Sequence, residues 1–311
     1  MSAHTIAVAI GDPNGIGPEI AVKAAAQLAA GGPHVVLVGD RFVIDTYATR
    51  FAKDIALDVR AVDALPRDAF APGRVDAAAG RATIEYVEAA FELARSGGVS
   101  CVVGCPHNES AVHAAGIRFS GYPSLIARLA GLPEDRVFLM LVGGGLRIVH
   151  VTLHQRLQDA IASLTPELVE AAGRAAVAAL ARFGIDRPRI GMFSINPHAG
   201  EGGLFGDDDE RITAPAAERL RAAGAAIDGP TGADVMIGRG LDGYLAMYHD
   251  QGHIPVKLLA GRTASALSIG ADVLFSSVGH GSGFDIAGQG SADPEALLRT
   301  LRLVSTVRPA A

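Results

Sequence analysis

Apolar and polar positions alternate in short blocks along the chain. The runs "TIAVAIGD", "HVVLVGD" and "VSCVVGCP" are rich in β-branched residues, end in Gly, Asp or Pro, and read as strands. Between them, alanine-rich stretches at 18–31 and 122–131 carry helical spacing. Further on, "RVFLMLVGGGLRIVHVTLH" predicts two strands joined at residues 143–145, where three glycines suit a hairpin connection. A helix over 165–184 leads into "RIGMFSINPH". After a helical stretch at 213–223 come "GYLAMYHD", "ASALSIG" and "VLFSSVG", with a last helix near 293–305. Such alternation predicts an α/β fold with mostly parallel sheets covered by helices. No internal repeat or low-complexity linker marks a boundary. At 311 residues the chain exceeds what one hydrophobic core commonly serves, so 1–311 is read as a single two-lobed catalytic unit whose lobes interleave in sequence.

Composition narrows the class. Hydrophobic residues make up 49% and charged residues 19%, a balance that excludes a disordered or fibrous chain. The net charge of −6, with no Lys/Arg run longer than two, lacks the footprint of a phosphate-backbone binder, so nucleic acid is not an expected partner. No apolar window is long enough to span a bilayer and the first residues lack a basic, apolar leader, which predicts a soluble cytoplasmic protein without a membrane partner. Cys101 and Cys105, in "CVVGCP", suit reduced thiols.

The first glycine-rich stretch, "GDPNGIGPEI", is not the dinucleotide fingerprint, because the position for a third glycine is Ile20 and Pro18 suits the first turn of a helix. Cofactor-contacting residues therefore stay unassigned. More telling is a positional coincidence. His154 follows "LRIVHVTL", His198 follows "RIGMFSINP" and His249 follows "GYLAMY", each beyond an apolar run that reads as a strand. Carboxyl ends of strands converge on the ligand crevice of α/β sheets. Three imidazoles with an open position is the arrangement of a catalytic divalent metal, for which zinc, cobalt, nickel or iron suit nitrogen donors. His107 and His280 also sit near strand ends, so spacing alone does not force the choice. Asp250 and Asp234 are candidates for proton transfer, with an N-cap and a turn as their structural alternatives. Lys257 suits a substrate carboxylate or an acid role, or else a lysine reaching out of a partly buried strand. His253 reads as an incidental loop residue.

Five segments together, "GDPNGIGPEI", "AGIRFSGYPSL", "INPHAGEGG", "MYHDQGHIPVKLL" and "SVGHGSGFDIAGQG", resemble the 4-hydroxythreonine-4-phosphate dehydrogenase family of pyridoxal phosphate biosynthesis, from near residue 6 to near residue 300. The resemblance implies a two-lobed fold similar to isocitrate and isopropylmalate dehydrogenases. It also implies NAD bound without the usual fingerprint, and a homodimer with active sites at the subunit interface. It assigns the metal to His154, His198 and His249, one of them from the neighbouring subunit, with zinc first and cobalt or magnesium as alternatives. Asp234 and Asp250 match aspartates implicated in catalysis, and Lys257 a lysine that contacts substrate.

The departures from that pattern concern the phosphate. A family lysine in T-G-P-x-x-K gives way to "GCPHNES", with Glu109; Gly-His-Thr becomes Gly121, Tyr122 and Pro123; an Asn and an Arg correspond to Ala266 and Phe275. A dianionic phosphate needs charge-assisted donors, and these replacements remove them. Tyr, Pro, Ala and Phe suit a flat carbocycle, and this pattern is similar to the terephthalate dihydrodiol dehydrogenase branch. That branch converts 1,2-dihydroxy-3,5-cyclohexadiene-1,4-dicarboxylate to protocatechuate, carbon dioxide and NADH. The expected function is thus NAD- and metal-dependent oxidation of a small β-hydroxy carboxylate followed by decarboxylation. The alternatives are the phosphate ester, a related hydroxy acid, or a metal-binding protein without catalysis. Arg118, Arg262 and His107 are equal candidates for holding a distal carboxylate.

Overall fold

The computed structural model describes residues 5–308, with the side chain of Arg262 outside the described set. The chain divides into two compact units: residues up to Phe119 join those from Asp272 onward, and Ser120–Ala271 form the other.

The first unit begins with β1 (Thr5–Ala9), α1 (Gly17–Leu28), β2 (His34–Gly39), α2 (Arg41–Phe51) and β3 (Asp58–Ala61). It continues through α3 (Ala77–Arg95), β4 (Cys101–Gly104) and α4 (Glu109–Ala114). All pairings of these strands are parallel, in the order β3-β2-β1-β4. Buried on both faces, β1 and β2 read as continuous apolar runs, as central parallel strands do. Pro18 sits in the first turn of α1, where its missing N–H costs nothing. The periodicity reading does not single out α2 or the 19-residue α3.

The second unit holds α5 (Tyr122–Ala130), β5 (Phe138–Gly143), β6 (Leu146–His150), α6 (Leu157–Ser163), α7 (Pro166–Arg182) and β7 (Arg189–Phe193). It is completed by α8 (Ala214–Ala222), β8 (Ala226–Thr231), α9 (Ala233–Met236), β9 (Gly243–Ala246), α10 (His249–Ala260) and β10 (Ser265–Ile269). Strand order is β10-β5-β6-β9-β7-β8, with β10-β5 and β5-β6 antiparallel and the remainder parallel. The expected glycine hairpin is present: Gly143 pairs with Leu146, and Gly144 and Gly145 have φ of +59° and +81°, a two-residue turn open to glycine. Its core gathers Ile148, Phe193, Met236, Tyr244 and Val256. The chain then returns to the first unit, where β11 (Phe275–Val278) pairs parallel with β4 and α11 (Glu295–Val304) packs on both.

Several strands end sooner than their apolar runs. The "GYLAMYHD" run stays extended only to Ala246, and His249 opens a helix. The "HIPVKLL" segment is likewise helical, so Lys257 belongs to α10 and not to a strand. A local proline, Pro255, lies inside that helix and masks its periodicity. Cys101 and Cys105 are buried free thiols, and burial raises the Cys105 pKa. Among the described residues no helix is long and apolar enough to cross a membrane.

Candidate active site

The carboxyl ends of β6, β7 and β9 carry the chemistry of the second unit. His150 is the last residue of β6, and the chain bends beyond it to His154. Beyond β9, α10 starts at His249, so His249, His253 and Lys257 recur every fourth residue along one stripe of the helix. Gln251 ties the strand ends together: its Oε1 accepts from Met247 N–H at 2.8 Å, and its Nε2 donates to the Ser194 carbonyl at 2.7 Å.

Four imidazoles cluster here. The His154 and His249 ring centroids are 5.6 Å apart, and with Asp250, Tyr248 and Leu157 they wall a cavity of about 290 Å³. His249 Nδ1 is 2.7 Å from Asp250 Oδ1, so a carboxylate holds one ring nitrogen and leaves Nε2 available. His253 stacks on His249 at 3.7 Å with the planes 12° apart, and its Nδ1 lies 3.0 Å from His150 Nε2. Burial first, then the neighbouring His253, pushes the His150 pKa down to about 3; burial, then His249, pushes His253 down to about 4. Both rings are neutral at ordinary pH. His253 is therefore neither incidental nor in a loop. In the sequence His150 does not stand out by position at a strand end, although "HVTLH" and "HDQGH" repeat one four-residue spacing in both segments.

His198 occupies a different setting. It lies in a tight turn, Pro197–Gly203, where His198, Ala199 and Glu201 take φ of 53°, 54° and 45°, a left-handed conformation uncommon outside glycine. Its side chain is 72% exposed and lies 3.8 Å from Glu201 Oε2. The turn is pinned at its base by buried Asp209, which accepts from Ile195 N–H, Asn196 N–H and Thr213 Oγ1 at 2.8, 2.9 and 2.6 Å.

Among the described residues no group of three or more His, Cys, Asp or Glu has metal-holding geometry. The donor chemistry at the cavity nevertheless suits a divalent ion: two imidazoles and a carboxylate face one cavity, and the His249 Nδ1 contact leaves Nε2 for a ligand. The fit is incomplete within one chain, which brings two of the three expected histidines to the cavity.

The other sequence candidates are scattered. Tyr122 is buried at the start of α5, and Pro123 lines a second cavity of about 350 Å³ with Ser120, Ser124, His150 and His154. Ala266, on β10, packs against the core of the second unit. Asp234 is exposed on α9. In the first unit, Glu109 opens α4 with its carboxylate 4.0 Å from His107 Nε2, His107 packs edge-on to Phe119 at 4.7 Å, and burial lowers the His107 pKa. Phe275 is fully buried on β11, and Arg118 is exposed.

Comparison with known proteins places these features. The chain is 50% identical to a 1,2-dihydroxy-3,5-cyclohexadiene-1,4-dicarboxylate dehydrogenase of Comamonas sp, over 96% of both chains. It is 54% identical to a crystal structure of a terephthalate 1,2-cis-dihydrodiol dehydrogenase from Burkholderia xenovorans LB400, covering 99% of both with a TM-score of 0.78. A 4-hydroxythreonine-4-phosphate dehydrogenase structure from Klebsiella pneumoniae is 34% identical over 96% of this chain and 98% of its own, with a TM-score of 0.85. In fold alone the likeness extends to a β-decarboxylating dehydrogenase from Thermococcus kodakarensis, at 17% identity and a TM-score of 0.52. Residues 18–304 match the family described as pyridoxal phosphate biosynthetic protein PdxA, and the chain belongs to that family as an oxidoreductase of the dehydrogenase class.

Proposed function

We propose that the protein oxidises 1,2-dihydroxy-3,5-cyclohexadiene-1,4-dicarboxylate with NAD and a divalent metal, and that decarboxylation to protocatechuate follows. The observation that carries this reading is the 50% identity to the Comamonas enzyme across nearly the whole of both chains. Tyr122 and Pro123, where a phosphate-ester enzyme has the His-Thr of Gly-His-Thr, agree with it: Pro123 walls the 350 Å³ cavity and brings no cation.

His154 and His249 hold the metal with His198, and zinc is the first choice for such a nitrogen set. Because His154 and His249 share a cavity while His198 stands exposed in its own turn, a ligand from a second copy of the chain completes the set. An apolar surface supports that dimer: Ile254, Leu258 and Leu259 on α10 are exposed, Leu258 by 80%, and so are Leu204 and Phe205 beside the His198 turn. When bound, the metal supplies Lewis acidity toward the hydroxyl oxygen, and NAD supplies the hydride acceptor.

The chain's own residues do the rest. Asp250, on the cavity wall, accepts the hydroxyl proton, with Asp234 as the alternative acceptor. Oxidation places a ketone β to a carboxylate, so the carbon–carbon bond to that carboxylate breaks and its electron pair passes to the ketone oxygen. The Lys257 ammonium balances the resulting enolate. With the ring's two other double bonds already in place, that enolate is the aromatic catecholate, and a proton taken up on its oxygen gives the product. Glu109, Ala266 and Phe275, at the positions of the family's phosphate-holding residues, supply no cation for a phosphate.

NADH formation measured on the dihydrodiol dicarboxylate and on 4-hydroxythreonine 4-phosphate separates the two family activities: turnover confined to the first is expected, and turnover confined to the phosphate ester rejects this reading. His198→Ala is expected to abolish metal content, and unchanged content removes His198 from the ligand set.

A further inference from the structure

The geometry points to a second function for the histidine cluster: His150 and His253 form a hydrogen-bonded strut, anchored on the Leu139 carbonyl, that fixes the ring of His249 in its ligating orientation. Both are positioning residues, and the inference rests on the reading of His249 as a metal ligand.

The hydrogen-bond directions follow from elementary donor and acceptor chemistry. His150 Nδ1 lies 3.2 Å from the Leu139 carbonyl oxygen, which can only accept, so Nδ1 carries the proton and Nε2 is bare. That bare Nε2 must accept, so the His253 nitrogen 3.0 Å away, Nδ1, carries the proton in turn. One backbone carbonyl on β5 thus sets the tautomers of two rings in series. The second ring lies flat on His249, 3.7 Å away and 12° from parallel, while Asp250 Oδ1 holds His249 Nδ1 at 2.7 Å. The carboxylate restrains rotation of the His249 ring from its edge, and the stacked ring blocks tilt from its face.

Gly252 supplies an independent sign that the sequence makes room for this contact. Glycine inside a helix is disfavoured relative to alanine. Here a methyl group at Gly252 would overlap His150 Nε2 and press on Ile148 Cγ2, so the missing side chain is what lets the His150 ring reach α10. The expense in helix propensity has a local purpose.

The test uses the metal-free full chain and Co²⁺ alone. Nitrogen-15 spectra of the imidazoles should show His150 and His253 protonated at Nδ1 and bare at Nε2 before any metal is added. Competition with a chromophoric chelator should show Co²⁺ binding weakened roughly tenfold or more in His150→Ala and in His253→Ala, the scale of losing a residue that orients a ligand. The double variant should be no worse than the weaker single one, because the two act as one strut. His150→Gln, whose amide can donate to Leu139 and accept from His253, should recover most of the affinity, which separates loss of orientation from a folding defect. A wild-type chain that takes up no Co²⁺ overturns the reading of the site. Wild-type uptake that is undiminished in His150→Ala, or His253 protonated at Nε2, overturns the strut alone.

Discussion

At the scale of single residues, what the sequence conveys depends on how far away a side chain's partner lies. His249 and Asp250 are adjacent, and their position beyond a strand-like run is enough to mark them. His150 and His253 are 103 residues apart and meet only in the fold, so each looks unremarked in its own segment. Asp12 is similar. It reads as part of a tight turn, yet its carboxyl is fully buried; Oδ1 accepts from Asn14 N–H at 2.9 Å, and Oδ2 has no hydrogen-bond partner among the described residues. Burial, only partly offset by the Asn14 bond, raises its pKa to about 7. Between the ordinary carboxylate value and that one, the folded chain keeps a proton that the unfolded chain has lost. The stability due to neutral Asp12 is therefore present below about pH 4 and drains away as pH rises through 7. Asp12→Asn removes the titration. Urea unfolding should find the variant gaining on the wild type by as much as about 3 kcal/mol between pH 5 and pH 8, and a difference that stays constant with pH would mean that Asp12 does not titrate there.

At the scale of elements, the alternation of apolar runs locates helices and strands well where a run coincides with one element. The stretches expected at 165–184 and 213–223 are Pro166–Arg182 and Ala214–Ala222. It fails where the run outlasts its element, because buried strand ends and buried helix starts are equally apolar. Hence β9 stops at Ala246 while Met247 remains fully buried. The His198 turn has no periodicity to read at all. It is held by side-chain bonds from Asp209, eleven residues beyond His198. Removing that carboxylate orphans two backbone N–H groups and leaves the Thr213 hydroxyl only the Asp209 carbonyl, at 3.2 Å. Asp209→Ala should cost about 2–4 kcal/mol of stability. Hydrogen exchange across residues 195–205 should quicken at the same time, since the left-handed turn loses the bonds that hold it. Unaltered exchange there would show that the turn is self-supporting.

At the scale of the whole molecule, parallel sheets and an α/β class are legible from pattern, but the path of the chain is not. The last strand, β11, pairs with β4 across some 170 residues of sequence, and nothing local in "VLFSSVG" announces it. The ends of the chain meet in one unit through particular contacts. Fully buried Glu19 on α1 accepts from Gly290 N–H at 3.1 Å and Ala292 N–H at 2.9 Å, and Lys23 bridges the same stretch, bonding Glu19 at 2.7 Å and the Gly290 and Ala292 carbonyls at 2.9 and 2.8 Å. An ion pair with the same i, i+4 spacing, Glu295–Arg299 on α11, stands half in solvent. Spacing alone would rate the two alike. Burial separates them: Glu19→Ala strands two amides, leaves Lys23 without its counter-charge and should cost about 3–5 kcal/mol, whereas Glu295→Ala should cost under about 0.5 kcal/mol. Salt sharpens the contrast, because 1 M NaCl screens the exposed pair and leaves the buried one almost untouched. Thermal melts of both variants at low and high salt should therefore show a large, salt-insensitive loss for Glu19→Ala alone. Equal small losses would mean that the clasp between the chain's two ends adds little to holding the first unit together.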